Sequence, residues 1–142
     1  MDKLQDDVTV FKRCYNLPMS NIKRIHSNLY FVSDLAKTIE FYKNLGLEVA
    51  PSDGSARVKI GDFTLAFMDE SKTVIDKEAG MQPKGIGIFT YVEVENVDDQ
   101  YKTVVANGIK PSSEPRDWPW GKREFAVKDP DGYKIVFYAP VA

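Results

Sequence analysis

The amino-acid sequence predicts an α+β fold: two βαβββ half-domains whose strands form a curved mixed sheet around a cleft. Three observations predict it. The chain reads as strand, helix and three strands, and then reads so a second time. The two readings keep step, because Val32, Asp34 and Gly46 stand 62 positions before Val94, Asn96 and Gly108. The chain then closes on Trp118–Tyr138, which reads as strand, tight turn, strand. Units this small cannot each bury an apolar face alone, so two are expected to pack together.

Each element has its own local reason. Ile22–Val32 is apolar and β-branched enough for a strand. Ser33-Asp34 starts a helix over 34–45, in which Leu35, Ile39, Tyr42 and Leu45 recur at helical spacing and Thr38 and Phe41 widen the stripe. Gly46 ends that helix, as glycine does at the position after a C-cap. Leu47–Ala50 resumes as strand, and Pro51-Ser52-Asp53-Gly54 turns the chain. Ala56–Ile60 and Phe63–Met68 follow as strands around a Gly61-Asp62 turn. Residues 69–84 read as a connection, with one helical turn near 74–79. Ile86–Val94 is the second half's first strand. Asn96 caps the next helix, whose apolar face is Val97, Tyr101, Val104 and Val105 and whose end is Gly108. A short strand near Ile109–Lys110 precedes the closing hairpin. In that hairpin Asp129-Pro130-Asp131-Gly132 supplies the reversal.

The repeats thus occupy 22–68 and 85–140 of a single domain over 22–140. Residues 1–21 read as an N-terminal extension or linker, with a short strand at Val8–Phe11. Composition bounds the function. The 142 residues are 43% apolar and 28% charged with net charge -2, which predicts a globular chain. A sequence pI near 5.4 argues against a nucleic-acid partner. The single cysteine, Cys14, excludes an intrachain disulfide. No apolar run is long enough for a membrane span and no signal-peptide core opens the chain, so a cytoplasmic protein is expected.

Ile25-His26-Ser27-Asn28-Leu29-Tyr30-Phe31-Val32-Ser33-Asp34-Leu35, followed by Phe41-Tyr42 and Leu45-Gly46-Leu47, resembles the opening of the glyoxalase / bleomycin-resistance / extradiol dioxygenase superfamily, the vicinal oxygen chelate proteins. Trp120-Gly121 with Arg123-Glu124-Phe125, then Asp129-Pro130-Asp131-Gly132 and Ile135, resembles its closing hairpin. The resemblance covers roughly residues 22–140. It implies the fold above and leaves function open, since the superfamily holds lyases, dioxygenases, epimerases and drug-sequestering proteins. Its metal enzymes carry two ligands per half on inward-facing strand positions. Those positions fall here on Ser27, Ala66, Phe89 and Val136. Serine is a weak neutral donor and the other three offer none, so neither a metal nor another cofactor is expected.

In the register that the resemblance supplies, Ser27, Leu29, Phe31 and Met68 line the cleft from the first half. Phe89, Tyr91, Glu93, Val136 and Tyr138 do so from the second, joined by Thr64, Ala66 and Lys134, and Trp118 and Trp120 close over it as flat walls. Such a groove suits a small organic molecule. Glu93 favours a cationic or amine-bearing compound, and the resemblance implies the same, because bleomycin-resistance members bind cationic drugs without chemistry. The leading expectation is therefore a metal-free binding protein with no catalytic residue, sequestering a cationic or aromatic compound. A homodimer is expected, since the superfamily often builds its cavities across a two-fold axis. Two other readings stay open: a metal-dependent or metal-free lyase or isomerase of the same superfamily, and a dimeric interaction module with no small ligand.

Overall fold

The computed structural model describes Asn21, residues 23–72 and residues 80–141. The expected extension, the strand at Val8–Phe11 and the helical turn near 74–79 lie outside the described residues. The first half comprises β1 (Ser27–Val32), α1 (Leu35–Asn44), β2 (Val49–Ser52), β3 (Ser55–Ile60) and β4 (Phe63–Asp69). The second comprises β5 (Phe89–Glu93), α2 (Val97–Ala106), β6 (Arg116–Asp117), β7 (Lys122–Lys128) and β8 (Lys134–Pro140). Each half is a four-stranded mixed sheet, ordered β1-β4-β3-β2 and β5-β8-β7-β6. The helix is the crossover that lets the first strand of each half lie parallel to the last, while the remaining pairs are antiparallel hairpins.

The helix signals act as the sequence predicts. Asp34 accepts a hydrogen bond from the Lys37 backbone N–H at 3.1 Å, and Asn96 accepts from Asp99 at 2.9 Å. Helix α1 turns Thr38 and Tyr42 inward and α2 turns Val97 and Val104 inward. Val105, expected on that face, is 47% exposed instead. At about 100° per residue, Val104 lies about 20° from Val97 around the helix and Val105 about 80° away. The strands buried beneath the helices supply Tyr30, Val58, Leu65, Phe67, Phe125, Val127, Ile135 and Phe137 to one core shared by both halves. Tyr42 packs on Phe67 with ring centroids 4.5 Å apart, and Tyr101 meets Phe125 edge-on at 5.3 Å.

Several boundaries differ from the sequence reading. Residues 23–26 precede β1 instead of extending it, and β5 starts only at Phe89. The apolar residues Ile25, Ile86 and Ile88 that suggested longer strands are exposed, so apolarity there is not a pairing signal. Leu47 and Glu48 lie before β2, while Pro51, read as a turn, lies inside it; β2 is an edge strand, where proline's missing N–H is harmless. The expected strand at Ile109–Lys110 is absent; the short strand is Arg116–Asp117, paired with Glu124 and Arg123 of β7. The connection after β4 opens with a single 3-10 turn, Glu70–Lys72.

The two halves are joined at the Asp129-Pro130-Asp131-Gly132 turn. Asp129 Oδ1 accepts from the backbone N–H groups of Asp131 and Tyr133, each at 2.9 Å, which closes the turn. Its Oδ2 accepts from the Tyr42 hydroxyl of α1 at 3.1 Å, across 87 positions of sequence. Asp131 accepts from the Ser33 N–H at 3.0 Å, and the Tyr133 hydroxyl donates to Phe31 O at 3.2 Å. Asp129 is 4% exposed, and burial pushes its carboxyl up to about 6 despite those three donors. Burial, then the Asp129 charge, pushes the Tyr42 hydroxyl well above the usual phenol range. Beside this turn, Gly85 takes φ +75°, and a Cβ there would sit 2.3 Å from Gly132 O, so the chain passes only as glycine. A buried Lys84 pairs with Glu70 at the same junction.

Candidate functional site

With helices and core on one side of each sheet, the other side is open. Strand alternation decides which residues it carries. On the first half these are Ser27, Leu29 and Phe31 of β1, Thr64, Ala66 and Met68 of β4, and Ser55, Arg57 and Lys59 of β3. Pairing arranges them in rows: Ser27–Thr64–Lys59, Leu29–Ala66–Arg57 and Phe31–Met68–Ser55. A cavity of about 440 Å³ lies over the first two rows, bordered by Arg24, His26 and Asp62. His26, which lies before β1 begins, borders the same cavity.

On the second half the rows are Glu93–Tyr138–Glu124–Arg116, Tyr91–Val136–Ala126 and Phe89–Lys134–Lys128. The two tryptophans, read as the start of a strand, lie in the β6–β7 turn instead. The Trp118 N–H donates to Lys122 O at 2.9 Å and the Gly121 N–H to Trp118 O at 3.0 Å, with Gly121 at φ +83°. This is a three-residue hairpin loop, in which Pro119 presets φ and Gly121 takes the left-handed position. It sets Trp118 and Trp120 side by side, 4.6 Å between centroids and 12° from parallel. The Arg116 guanidinium stacks 3.8 Å from Trp118, and the Trp120 indole N–H donates to Glu124 Oε1 at 2.9 Å. Tyr91 and Tyr138 meet edge-on at 5.9 Å under the Lys122 ammonium, which is 4.3 Å from the Tyr138 ring. Lys134 lies 4.7 Å from the Phe89 ring, beside a cavity of about 550 Å³ lined also by Lys84, Ile86 and Lys128.

The nominated residues therefore fall in two groups. Ser27, Leu29, Phe31 and Met68 share the first open face. Phe89, Tyr91, Glu93, Val136 and Tyr138 share the second, with Trp118 and Trp120 at its rim. The cavities of about 440 and 550 Å³ each touch only one face. Val136 is a buried floor residue, whereas Phe89 and Tyr91 stand about half exposed.

Glu124 was missed by the sequence reading, which assigned it no side of the sheet. It is 6% exposed and anchors Trp120. The signal was present: Phe125 and Val127 face the core, so Glu124 and Ala126 must face away. Arg123, its neighbour, is on the covered side, held by both Asp98 oxygens at 2.8 and 2.9 Å and by Asp117 at 3.0 Å. These bonds, above all those to Asp98, hold the Arg123 pKa above its usual range. The same alternation, with Ala56 and Val58 buried, places Arg57 and Lys59 on the first open face.

Ser27, Ala66, Phe89 and Val136, on which the resemblance puts the metal-ligand positions, carry side chains that do not fit a divalent ion. Among the described residues no three His, Cys, Asp or Glu side chains come together. The strongly shifted pair, Asp129 and Tyr42, sits in the core junction and not on an open face. No described helix is long and apolar enough to cross a membrane.

A fold of two such halves with these faces defines a class. The family model for the Glyoxalase/Bleomycin resistance protein/Dioxygenase superfamily matches residues 24–137, and the chain belongs to that superfamily. Among characterised relatives, the bleomycin resistance proteins of Geobacillus stearothermophilus and Staphylococcus aureus are 28% identical over 121 residues, 78% of this chain and 92% of theirs. A solved glyoxalase/bleomycin resistance protein/dioxygenase from Nocardioides superposes with a TM-score of 0.73 at 22% identity, covering 95% of this chain and 93% of its own. One from Sphaerobacter thermophilus gives 0.64 at 26% identity, over 82% and 97%.

Proposed function

We propose that the protein is a metal-free, cytoplasmic binding protein that takes a small aromatic molecule against the second half's open face. One observation carries the reading: a stacked Trp118–Trp120 pair, anchored on the buried Glu124 and continued by Tyr91 and Tyr138. Rigid aromatic walls around a fixed polar group favour a flat organic ligand. The similarity to bleomycin resistance proteins supports binding rather than chemistry. So does the metal-ligand set, which is replaced by Ser27, Ala66, Phe89 and Val136.

The site is completed by a second copy of the chain. Leu29, Phe89, Tyr91 and Trp120 leave large apolar surface exposed on the open faces, and such surface marks a partner or a ligand. Laying the first half of one copy over the second half of another would enclose both. Sedimentation is expected to give a dimer; a monomer at working concentration contradicts this part.

Titration with aromatic compounds, read by tryptophan fluorescence, tests the main reading. Saturable quenching is expected for at least one member of a broad panel, and none across the panel contradicts it. Glu93 and Glu124 flank Tyr138 in one row and would attract an amine. Lys122, however, already covers the Tyr138 and Tyr91 rings. Lys122→Met is therefore expected to tighten binding of amine-bearing aromatics by about tenfold, on the scale of one cation–π contact regained. Unchanged or weaker affinity in that titration would assign the carboxylates to structure alone.

A further inference from the structure

We propose that the first half's open face is an oxyanion site, which binds the carboxylate or phosphate group of the ligand. The proposal deepens the binding reading above, because it gives the aromatic ligand an acidic end.

Three cations, Arg24, Arg57 and Lys59, border one cavity of about 440 Å³, and among the described residues Asp62 is the one carboxylate on its lining. Arg57 and Lys59 are two positions apart on one strand, both on the open face, which puts their backbones about 7 Å apart. Like charges held that close repel, and an anion between them removes the repulsion. Among the described residues none of the three forms an ion pair, whereas Lys72, Lys84 and Arg123 all do. On the other open face Arg116, Lys122 and Lys134 rest on aromatic rings, and Lys128 is the one cation there that, among the described residues, does not. The cations of the first face stack on no aromatic ring among the described residues.

The floor of the cavity suits the same ligand. Ser27, Thr64 and Ala66 are small, which leaves open space beside Arg57 and Lys59. The Ser27 and Thr64 hydroxyls sit in the row of Lys59 and can donate to an oxyanion, as the His26 ring can at the rim. Arg57 offers the planar fork that pairs with two oxygens of a carboxylate or phosphate, and Lys59 a point charge beside it. The cavity overlies Ser27 and Ala66, which leave its floor open.

The test uses the full-length protein with inorganic phosphate as probe, followed by thermal unfolding and by NMR shifts of the Ser27 and Thr64 amides. Chloride at matched ionic strength is the control. Wild type is expected to show saturable stabilisation and local shifts by phosphate beyond those by chloride. Arg57→Ala/Lys59→Ala is expected to weaken the phosphate response by at least about tenfold, the scale of one lost charge-assisted contact. Both residues are exposed, and an unchanged far-UV spectrum without phosphate would confirm that the variant folds. Trp120→Ala is expected to keep the phosphate response and to lose quenching by neutral aromatics, so failure of the aromatic reading and failure of this one are separable. Phenyl phosphate is expected to bind more tightly than phosphate, and benzylamine to leave the Ser27 and Thr64 amides unmoved. A phosphate response equal to that of chloride, or one that survives the double substitution, overturns the proposal.

Discussion

Replacing Asp129 by alanine is expected to destabilise the fold by about 3 kcal/mol, because it strands one buried and two part-buried donors at once. The Tyr42 hydroxyl loses its acceptor inside the core, and the N–H groups of Asp131 and Tyr133 lose theirs in the turn. Domains of this size are stable by about 5–15 kcal/mol, so the loss is a large fraction of the total. It should also loosen the two halves from one another, since the same turn carries the Ser33–Asp131 bond. Urea unfolding at neutral pH measures the effect; a change below about 1 kcal/mol would mean that the turn closes without this carboxyl.

The same group has a pH signature. Its pKa is raised in the folded protein to about 6, chiefly by burial, from an ordinary 3.8. Between those values the folded state holds more protons than the unfolded chain. The stabilisation from protonation is thus fully present below about pH 4 and is lost as pH rises through about 6. Asp129→Asn cannot ionise and keeps an acceptor for the turn. Its stability relative to wild type is expected to rise across that window, by up to about 3 kcal/mol. Parallel stability curves for the two proteins from pH 4 to pH 7 would place the titration elsewhere.

Trp120→Ala is the second large effect, expected on binding rather than on folding. The indole is 57% exposed, so its removal leaves no core cavity. It does remove half of the stacked pair and leaves Glu124 without its indole donor. Aromatic anchors of this kind contribute about 2 kcal/mol or more to an interface, so affinity for an aromatic ligand is expected to fall about thirtyfold. Glu124→Gln retains an oxygen that can accept from the indole and should lose much less. Calorimetric titration of both variants separates them; equal losses would mean that the charge of Glu124, and not the placement of Trp120, dominates.

The architecture was legible because its signals are local and repeated. Asp34 and Asn96 cap helices whose apolar residues recur at helical spacing, and the echo between halves fixed which strand corresponds to which. Alternation also carried the open-face residues, wherever a strand had both buried and exposed members to compare. The same alternation runs through β3 and β7, where the buried Ala56, Val58, Phe125 and Val127 put Arg57, Lys59 and Glu124 on the open faces. Strand ends were less legible, since Ile25, Ile86 and Ile88 are apolar without being paired or buried. Long-range contacts left no sequence trace: nothing near Tyr42 announces that its hydroxyl meets Asp129. The distribution of nominated residues over two separate faces is likewise a property of how the halves pack, which periodicity within one strand does not encode.

The proposed mode of ligand binding uses side chains and no ion. It is tested most directly by titrating chelator-treated, metal-free protein with a quenching aromatic compound. The same affinity is expected before and after metal removal. Affinity lost on chelation and restored by zinc, nickel or manganese would contradict it.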